Sequence, residues 1–310
     1  MTTTSINVMS WNILSSKLST EECFDKCDPE HLEPKHRFKV IMRRVCDAMR
    51  TNTVVCLQEV SDEWAVRIQI ACARRNYTCV YCAVPSREAG ALGLAILFPV
   101  LMFPHATATV FDVGKFIHAH PLFEDAWFRD KAFWKHRPLL NVSLTDTIGV
   151  SCFHMPCCFA GENRRILTLY TLALKMLLPE IHPGKFVLGC DMNVTPNDPQ
   201  YALMCSEVMP ALPSDDDPWT TVRPETMKTV AFQSAAHRYW GHEMQWTNFS
   251  CPGTAEALAL DYLWLSRDVG VTFHSRATTR TRRSMVRFKT YLPNRYEPSD
   301  HIPLVATLTF

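Results

Sequence analysis

Ile6, Val8 and Ser10 alternate with Asn7, Met9 and Trp11, the period-two pattern of a strand, and Thr53-Val54-Val55-Cys56-Leu57 is a short continuous apolar run that fits a buried strand. Between them Phe38, Ile41, Met42, Val45 and Met49 recur at three-to-four spacing, which predicts a helix. A second helix is expected to start near Ser61, with Trp64, Ile68 and Cys72 on one stripe, and a third to cover residues 162–178. Further strands are expected at residues 92–98, 139–144, 149–153, 185–189, 259–265, 269–273 and 304–308. The most apolar stretch, residues 89–104, is interrupted by Gly90, Gly93 and Pro99 and is shorter than the roughly 18 residues of a membrane helix. It reads as two buried strands. The order of elements predicts a layered α/β sandwich, and without repeats or a Gly/Ser- or Pro-rich linker residues 1–310 read as one domain.

Composition narrows the class. With 47% hydrophobic and 20% charged residues and only 10 Gly and 20 Pro, the chain is not a disordered, collagen-like or low-complexity polymer. Thirty-two basic against 31 acidic residues leave a net charge of +1, so any nucleic-acid contact has to come from a local patch. Met1-Thr2-Thr3-Thr4-Ser5-Ile6 lacks the basic and apolar regions of a signal peptide, and no membrane partner is expected. Thirteen cysteines without such a signal fit a reducing intracellular compartment, cytoplasmic or nuclear. Cys79 and Cys82 have zinc-like spacing, but in β-rich sequence residues three apart point to opposite faces, so buried thiols are the expectation.

Polar residues interrupt these strands in an informative way. Asn12 follows the first strand, Glu59 the second, His154 the Val150-Ser151-Cys152-Phe153 strand, and Asp191 with Asn193 the Phe186-Val187-Leu188-Gly189 strand. Asp261 sits inside the apolar run Ala259-Leu260-Asp261-Tyr262-Leu263, and Asp300-His301 precedes the last strand. If these ends share one edge of packed sheets, the carboxylates of Glu59, Asp191 and Asp300 converge with two amides and two imidazoles, and such a cluster needs a cation. Each residue taken alone has a structural alternative. Asn12 suits a turn or helix cap, Glu59 a solvated loop start, Asp191 and Asn193 Asx-turns, and Asp300 a turn cap. Asp261 resists that treatment, because a carboxylate in an apolar strand is costly unless paired, and His301 is its natural partner.

Ser10-Trp11-Asn12-Ile13-Leu14, Val55-Cys56-Leu57-Gln58-Glu59-Val60, Gly189-Cys190-Asp191-Met192-Asn193, Leu260-Asp261-Tyr262-Leu263 and Pro298-Ser299-Asp300-His301 resemble, in order, the five signatures of the endonuclease/exonuclease/phosphatase superfamily. Glu243-Met244-Gln245-Trp246-Thr247-Asn248 and Leu292-Pro293-Asn294 resemble its deadenylase-like branch of nocturnin and Angel type, which more often carries Pro at 244 and Phe at 246. The resemblance implies a deoxyribonuclease-like four-layer α/β sandwich, with two packed mixed sheets flanked by helices and a phosphoesterase centre at one end. It implies Glu59, Asn12 and Asp300 as ligands of Mg²⁺, with Mn²⁺ as the alternative, and Asp191 as the group that orients or deprotonates the attacking water. Asn193 and His154 would donate to phosphate, and Asp261 would hold His301 as an imidazolium. Trp246 would lie against a terminal base, beside Asn248.

The expected activity is that of a Mg²⁺-dependent phosphodiesterase acting on nucleic acid or a nucleotide, RNA favoured, as a 3′-to-5′ exoribonuclease of deadenylase type. A DNA-repair nuclease or nucleotide phosphatase is the alternative, and a catalytically silent binding protein a third. Retention of Glu59, Asp191, Asn193, Asp261 and His301 argues against the last, since a pure binder has no chemical need for the set. Two further stretches stay open. Arg276, Arg280, Arg282, Arg283, Arg287 and Lys289 form an acid-free run that either tracks a phosphate backbone or blunts a sheet edge. Residues 116–137 mix Trp127, Phe128, Phe133 and Trp134 with basic residues, as a base-stacking surface or a packed insertion would. Asp215-Asp216-Asp217 reads as an acidic loop without chemistry.

Overall fold

The computed structural model describes residues 4–84, 92–121, 123, 130, 132, 135–157, 163–207, 230–249, 257–275 and 291–310. In chain order its elements are β1 Ser5–Asn12, α1 Pro29–Leu32, α2 Pro34–Arg50, β2 Val54–Gln58, α3 Asp62–Ala73, β3 Tyr77–Ala83, β4 Gly93–Pro99, β5 Thr107–Asp112, α4 Val113–Ala119, β6 Pro138–Ser143, β7 Ile148–His154, α5 Asn163–Ile181, β8 Lys185–Asp191, α6 Pro199–Cys205, β9 Gln233–Ser234, α7 Ala235–Trp240, β10 Asp261–Leu265, β11 Gly270–Phe273 and β12 Leu304–Thr309. They form two six-stranded sheets, ordered β11-β12-β1-β2-β4-β3 and β5-β6-β7-β8-β10-β9.

Alternation along each strand divides the apolar residues between two surfaces. Ile6, Val8, Val54, Cys56, Leu94 and Ile96 meet Leu140, Val142, Val150, Cys152, Val187 and Leu263 in a core between the sheets. The opposite face of the first sheet, with Met9, Trp11, Val55, Leu57, Ala95 and Leu97, packs on Phe38, Ile41 and Val45 of α2 and Trp64 and Ile68 of α3. The opposite face of the second sheet, with Phe153, Leu188, Cys190, Tyr262 and Trp264, packs on Ile166, Tyr170, Leu174 and Leu178 of α5. Helix, sheet, sheet and helix give the four layers. Among the described residues no helix is long and apolar enough to cross a membrane.

The expected pair of strands in residues 89–104 is corrected to one. Only β4 forms among its described residues, because the chain turns after Pro99 and leaves Leu101 82% exposed. β5, at a sheet edge with an exposed surface, carries too little apolar alternation to be found by pattern. Cys79 and Cys82 do point apart on β3, Cys79 toward the helices α2 and α3 and Cys82 toward the core between the sheets, but both are half-buried rather than buried. The basic run 276–289, the four aromatics Trp127, Phe128, Phe133 and Trp134, and Asp215-Asp216-Asp217 lie outside the described residues.

Pairing directions decide where the polar strand ends go. β1 and β2 run parallel with Asn12 beside Gln58, and β7 and β8 run parallel with His154 beside Asp191. β10 runs antiparallel to β8 and starts with Asp261 beside Asp191. β12 begins beside the end of β1, pairing Leu304 with Ser10. Two carboxyl ends and one amino end therefore reach the same edge of the sandwich from each sheet.

Candidate active site

At that edge the side chains form one network. Asn12 Nδ2 donates to Glu59 Oε1 at 3.0 Å and to Asp191 Oδ2 at 2.9 Å, while its Oδ1 accepts from the Leu14 N–H at 2.9 Å. Glu59 Oε2 accepts from the Ser15 N–H at 3.1 Å. The Nε2 atoms of His154 and His301 face the same Asp191 Oδ2, at 3.5 Å and 3.7 Å. His301 Nε2 is also 3.9 Å from Asp300 Oδ2, and His154 Nε2 is 3.9 Å from Glu59 Oε1. Asn193 closes the far side, its N–H donating to Asp191 Oδ1 at 3.0 Å and its Nδ2 to the Met155 carbonyl at 2.9 Å.

The backbone is strained where this network needs it. Glu59 and Asn193 stand at φ values of +59° and +50°, a left-handed region that costs little for Asn and more for Glu. That cost at Glu59 is met by the bonds that its carboxylate makes to Asn12 and Ser15.

Burial sets the charges. Asp191 is pushed up to about 7, by its burial first and by Asp261 next, against the opposing pull of His301, Asn12 and Asn193. Burial and then the field of Asp300 raise Glu59. His154 is held well below its usual range by burial, then by Arg137 and His301, so its imidazole is neutral. Burial opposes charge on His301 as well, but Asp261, Asp300 and Asp191 together outweigh it and raise its pKa well above the ordinary value. One imidazole is thus kept neutral and the other cationic.

Glu59, His154 and Asp191 offer ligand atoms that gather within 4.8 Å, and so do Asp191, Asp261 and His301. In the second group Asp261 Oδ2 is already bound to His301 Nδ1 at 2.8 Å and to Thr247 Oγ1 at 2.6 Å, which marks a hydrogen-bonded relay rather than a cation cage. Glu59 and Asp300 supply hard oxygen donors, and Glu59 is raised by burial first and by the like charge of Asp300 second. A divalent hard cation fits that donor set, because it removes the repulsion and keeps waters of its own.

Eight of the ten expected residues come together here: Asn12, Glu59, His154, Asp191, Asn193, Asp261, Asp300 and His301. Asn12, expected as a ligand, is held among the acids by both ends of its amide. Its oxygen is engaged by Leu14, and its amide nitrogen bridges Glu59 and Asp191, so it aligns the two acids. Asn248 stands behind the site, its Nδ2 donating to Asp300 Oδ2 at 3.1 Å. Trp246 is 2% exposed in a cluster with Phe249 and Leu292, a core position rather than a face offered to a base. Sequence reasoning missed Thr247 and Ser299. Thr247 Oγ1 accepts from the Leu260 and Asp261 N–H groups while donating to Asp261. Ser299 Oγ donates to the Asn12 carbonyl at 2.7 Å and accepts from the His301 N–H at 3.1 Å. Both stand inside the motifs, but hydroxyls without a titratable role gave no chemical signal.

Comparison with known proteins bears on this geometry. No curated protein sequence matches the chain. Among solved structures it is similar to ANGEL2, described as a 2′,3′-cyclic phosphatase and crystallised with adenosine-2′,3′-vanadate, at TM-score 0.73 and 20% identity over 99% of this chain and 96% of that one. The human Nocturnin catalytic domain follows at TM-score 0.63 and 18% identity, covering 98% of this chain and 93% of that one. A truncated Caenorhabditis elegans TDP2 is similar at TM-score 0.55 and 15% identity, over 99% and 98% of the two chains. At these identities the likeness shows the fold. The sequence itself matches the Endonuclease/Exonuclease/phosphatase family over residues 9–301, a span that begins just before Asn12 and ends on His301. Fold, site and sequence agree, and the chain belongs to the Endonuclease/Exonuclease/phosphatase family of phosphoric ester hydrolases.

Proposed function

We propose that this protein is a Mg²⁺-dependent phosphodiesterase that acts at the 3′ end of RNA, as a 3′-to-5′ exoribonuclease. The observation that carries the reading is the convergence of two imidazole Nε2 atoms on Asp191 Oδ2, with Glu59 on the His154 side and Asp300 on the His301 side. Glu59 and Asp300 are the residues that would hold Mg²⁺, which when bound supplies Lewis-acid polarisation of the phosphoryl oxygens. Asp191 receives the proton of the attacking water, aligned by the Asn12 amide and the Asn193 N–H. His301, charged through its bond to Asp261, presents Nε2–H to the negative charge that develops on phosphorus-bound oxygen. Neutral His154 adds a second donor without adding charge.

A second reading, hydrolysis of a terminal 2′,3′-cyclic phosphate, is favoured by the likeness to ANGEL2 over almost the full length of both chains. An oligoadenylate labelled at its 5′ end and finished with either a 3′-hydroxyl or a 2′,3′-cyclic phosphate separates the two. Stepwise shortening of the hydroxyl-ended RNA supports exonuclease action. Opening of the cyclic end with no shortening supports the second reading. No change in either RNA with Mg²⁺ present, or activity undiminished in excess chelator or in Asp191→Asn, would overturn both.

A further inference from the structure

We propose that Arg37 is a positioning residue that holds the two loops of the divalent-ion site in register and thereby sets affinity for the ion, without touching substrate. This rests on the reading of Glu59 and Asp300 as its ligands. Arg37 is fully buried, at 0% exposure. Its Nε donates to the Pro298 carbonyl at 2.6 Å, its Nη2 to Ile13 at 2.8 Å and also to Leu14, and its Nη1 to Ser15 at 3.4 Å. One planar group thus joins the segment after β1 to the segment before β12, the latter 261 positions from Arg37 itself.

Both segments lead directly to the site. The carbonyls at 13–15 belong to the stretch whose N–H groups fix Asn12 and Glu59, through Leu14 and Ser15. Leu14 stands at φ +50°, a strained value for a branched side chain, and Arg37 holds its carbonyl there. Pro298 leads into Ser299, which ties Asn12 to the Asp300-His301 pair.

Burial and its place at a helix start both work against a cation at Arg37. It lies in the first turn of α2, where the helix dipole disfavours positive charge, and that turn holds no acid. Burial lowers its pKa to about 10, with Asp300 and then Glu59 pulling it back up. The Trp64 ring lies 5.3 Å from the guanidinium carbon as a cation–π support. A costly charge kept at the junction of the loop that carries Asp300 and the loop whose Ser15 N–H fixes Glu59 is explained by what it holds. Lysine keeps the charge but lacks the planar fork needed to span two segments.

The test measures Mn²⁺ binding to the full chain by the electron paramagnetic resonance of free Mn²⁺, together with melting temperature and the Mg²⁺ dependence of hydrolysis. Arg37→Lys is expected to weaken Mn²⁺ binding by about tenfold or more, as loss of an outer contact to a metal site does, while turnover at saturating Mg²⁺ falls by about threefold or less. Trp64→Phe, a milder change beneath the same guanidinium, is expected to weaken it by about two- to fivefold. Mn²⁺ affinity within about twofold of the unsubstituted protein in every variant that folds, whatever the melting temperature, would make Arg37 purely structural and overturn the proposal. The readout does not depend on substrate. Inactivity on RNA with Mn²⁺ still bound would defeat the substrate assignment and leave this inference standing.

Discussion

His301 Nδ1 lies 2.8 Å from Asp261 Oδ2, across the start of β10 and the approach to β12, and both residues are buried. The bond commits Nδ1 as a donor, which leaves Nε2–H directed at Asp191. With Asp261 raising its pKa, His301 remains an imidazolium through neutral pH and gives up its proton only as pH climbs past that raised value. Asp261→Asn should therefore cost on the order of 10²-fold in turnover and move the alkaline limb of the pH profile to lower pH. An unshifted limb, measured with any hydrolysed phosphodiester, would take the charge-holding role from Asp261.

Glu59→Gln removes one anion from the site while keeping the shape of the side chain. Calorimetric titration with Mg²⁺ should show affinity lower by about tenfold or more. Equal affinity in the two proteins would place the ion elsewhere.

Trp246→Ala should act on folding, because the indole packs with Phe249 and Leu292 at 2% exposure. Loss of about 3 to 5 kcal/mol is expected from denaturant unfolding, the usual range for deleting a buried aromatic. Any fall in activity should be equal for an oligonucleotide and for a nitrophenyl phosphodiester without a base. Selective loss on the oligonucleotide would restore Trp246 as a stacking platform.

His182 gives a pH dependence of stability that is independent of catalysis. Ser151 donates to Asn141 Oδ1 at 2.6 Å, so its oxygen accepts from His182 Nε2–H at 3.1 Å, and burial lowers the His182 pKa to about 4. The unfolded chain takes up a proton near pH 6.5 and the folded one does not until about pH 4. The neutral imidazole's contribution is therefore whole above about pH 6.5 and is lost progressively toward pH 4, up to about 3 kcal/mol. His182→Gln should flatten the stability profile in that window. A slope that persists unchanged would assign it to other groups.

How much of this was legible along the chain follows from the range of each interaction. Apolar periodicity located β1, β2, β4, β6, β7, β8, β10, β11 and β12 and the helices α2, α3 and α5, because which residues share a face of a strand or helix is a local property. The acids and amides at strand ends were legible for the same reason, since a polar residue closing an apolar run is visible without a partner. The edge strand β5 was not, because it buries too little to leave a pattern.

Apart from the Asp261–His301 pair, which the cost of a carboxylate in an apolar strand already pointed to, partnership belonged to the tertiary structure. Trp11 Nε1 reaches the His301 carbonyl across 290 positions, and Asn12 meets Asp191 across 179. Register over such separations comes from packing two sheets face to face, and one residue of slip would turn each side chain to the opposite face. Sequence alone therefore named the chemical groups and the order in which the chain delivers them. Only the packed sandwich decided that Asn12 turns its nitrogen to the acids, that Trp246 is covered, and that the fork of Arg37 joins both loops, because each depends on atoms brought together from distant parts of the chain.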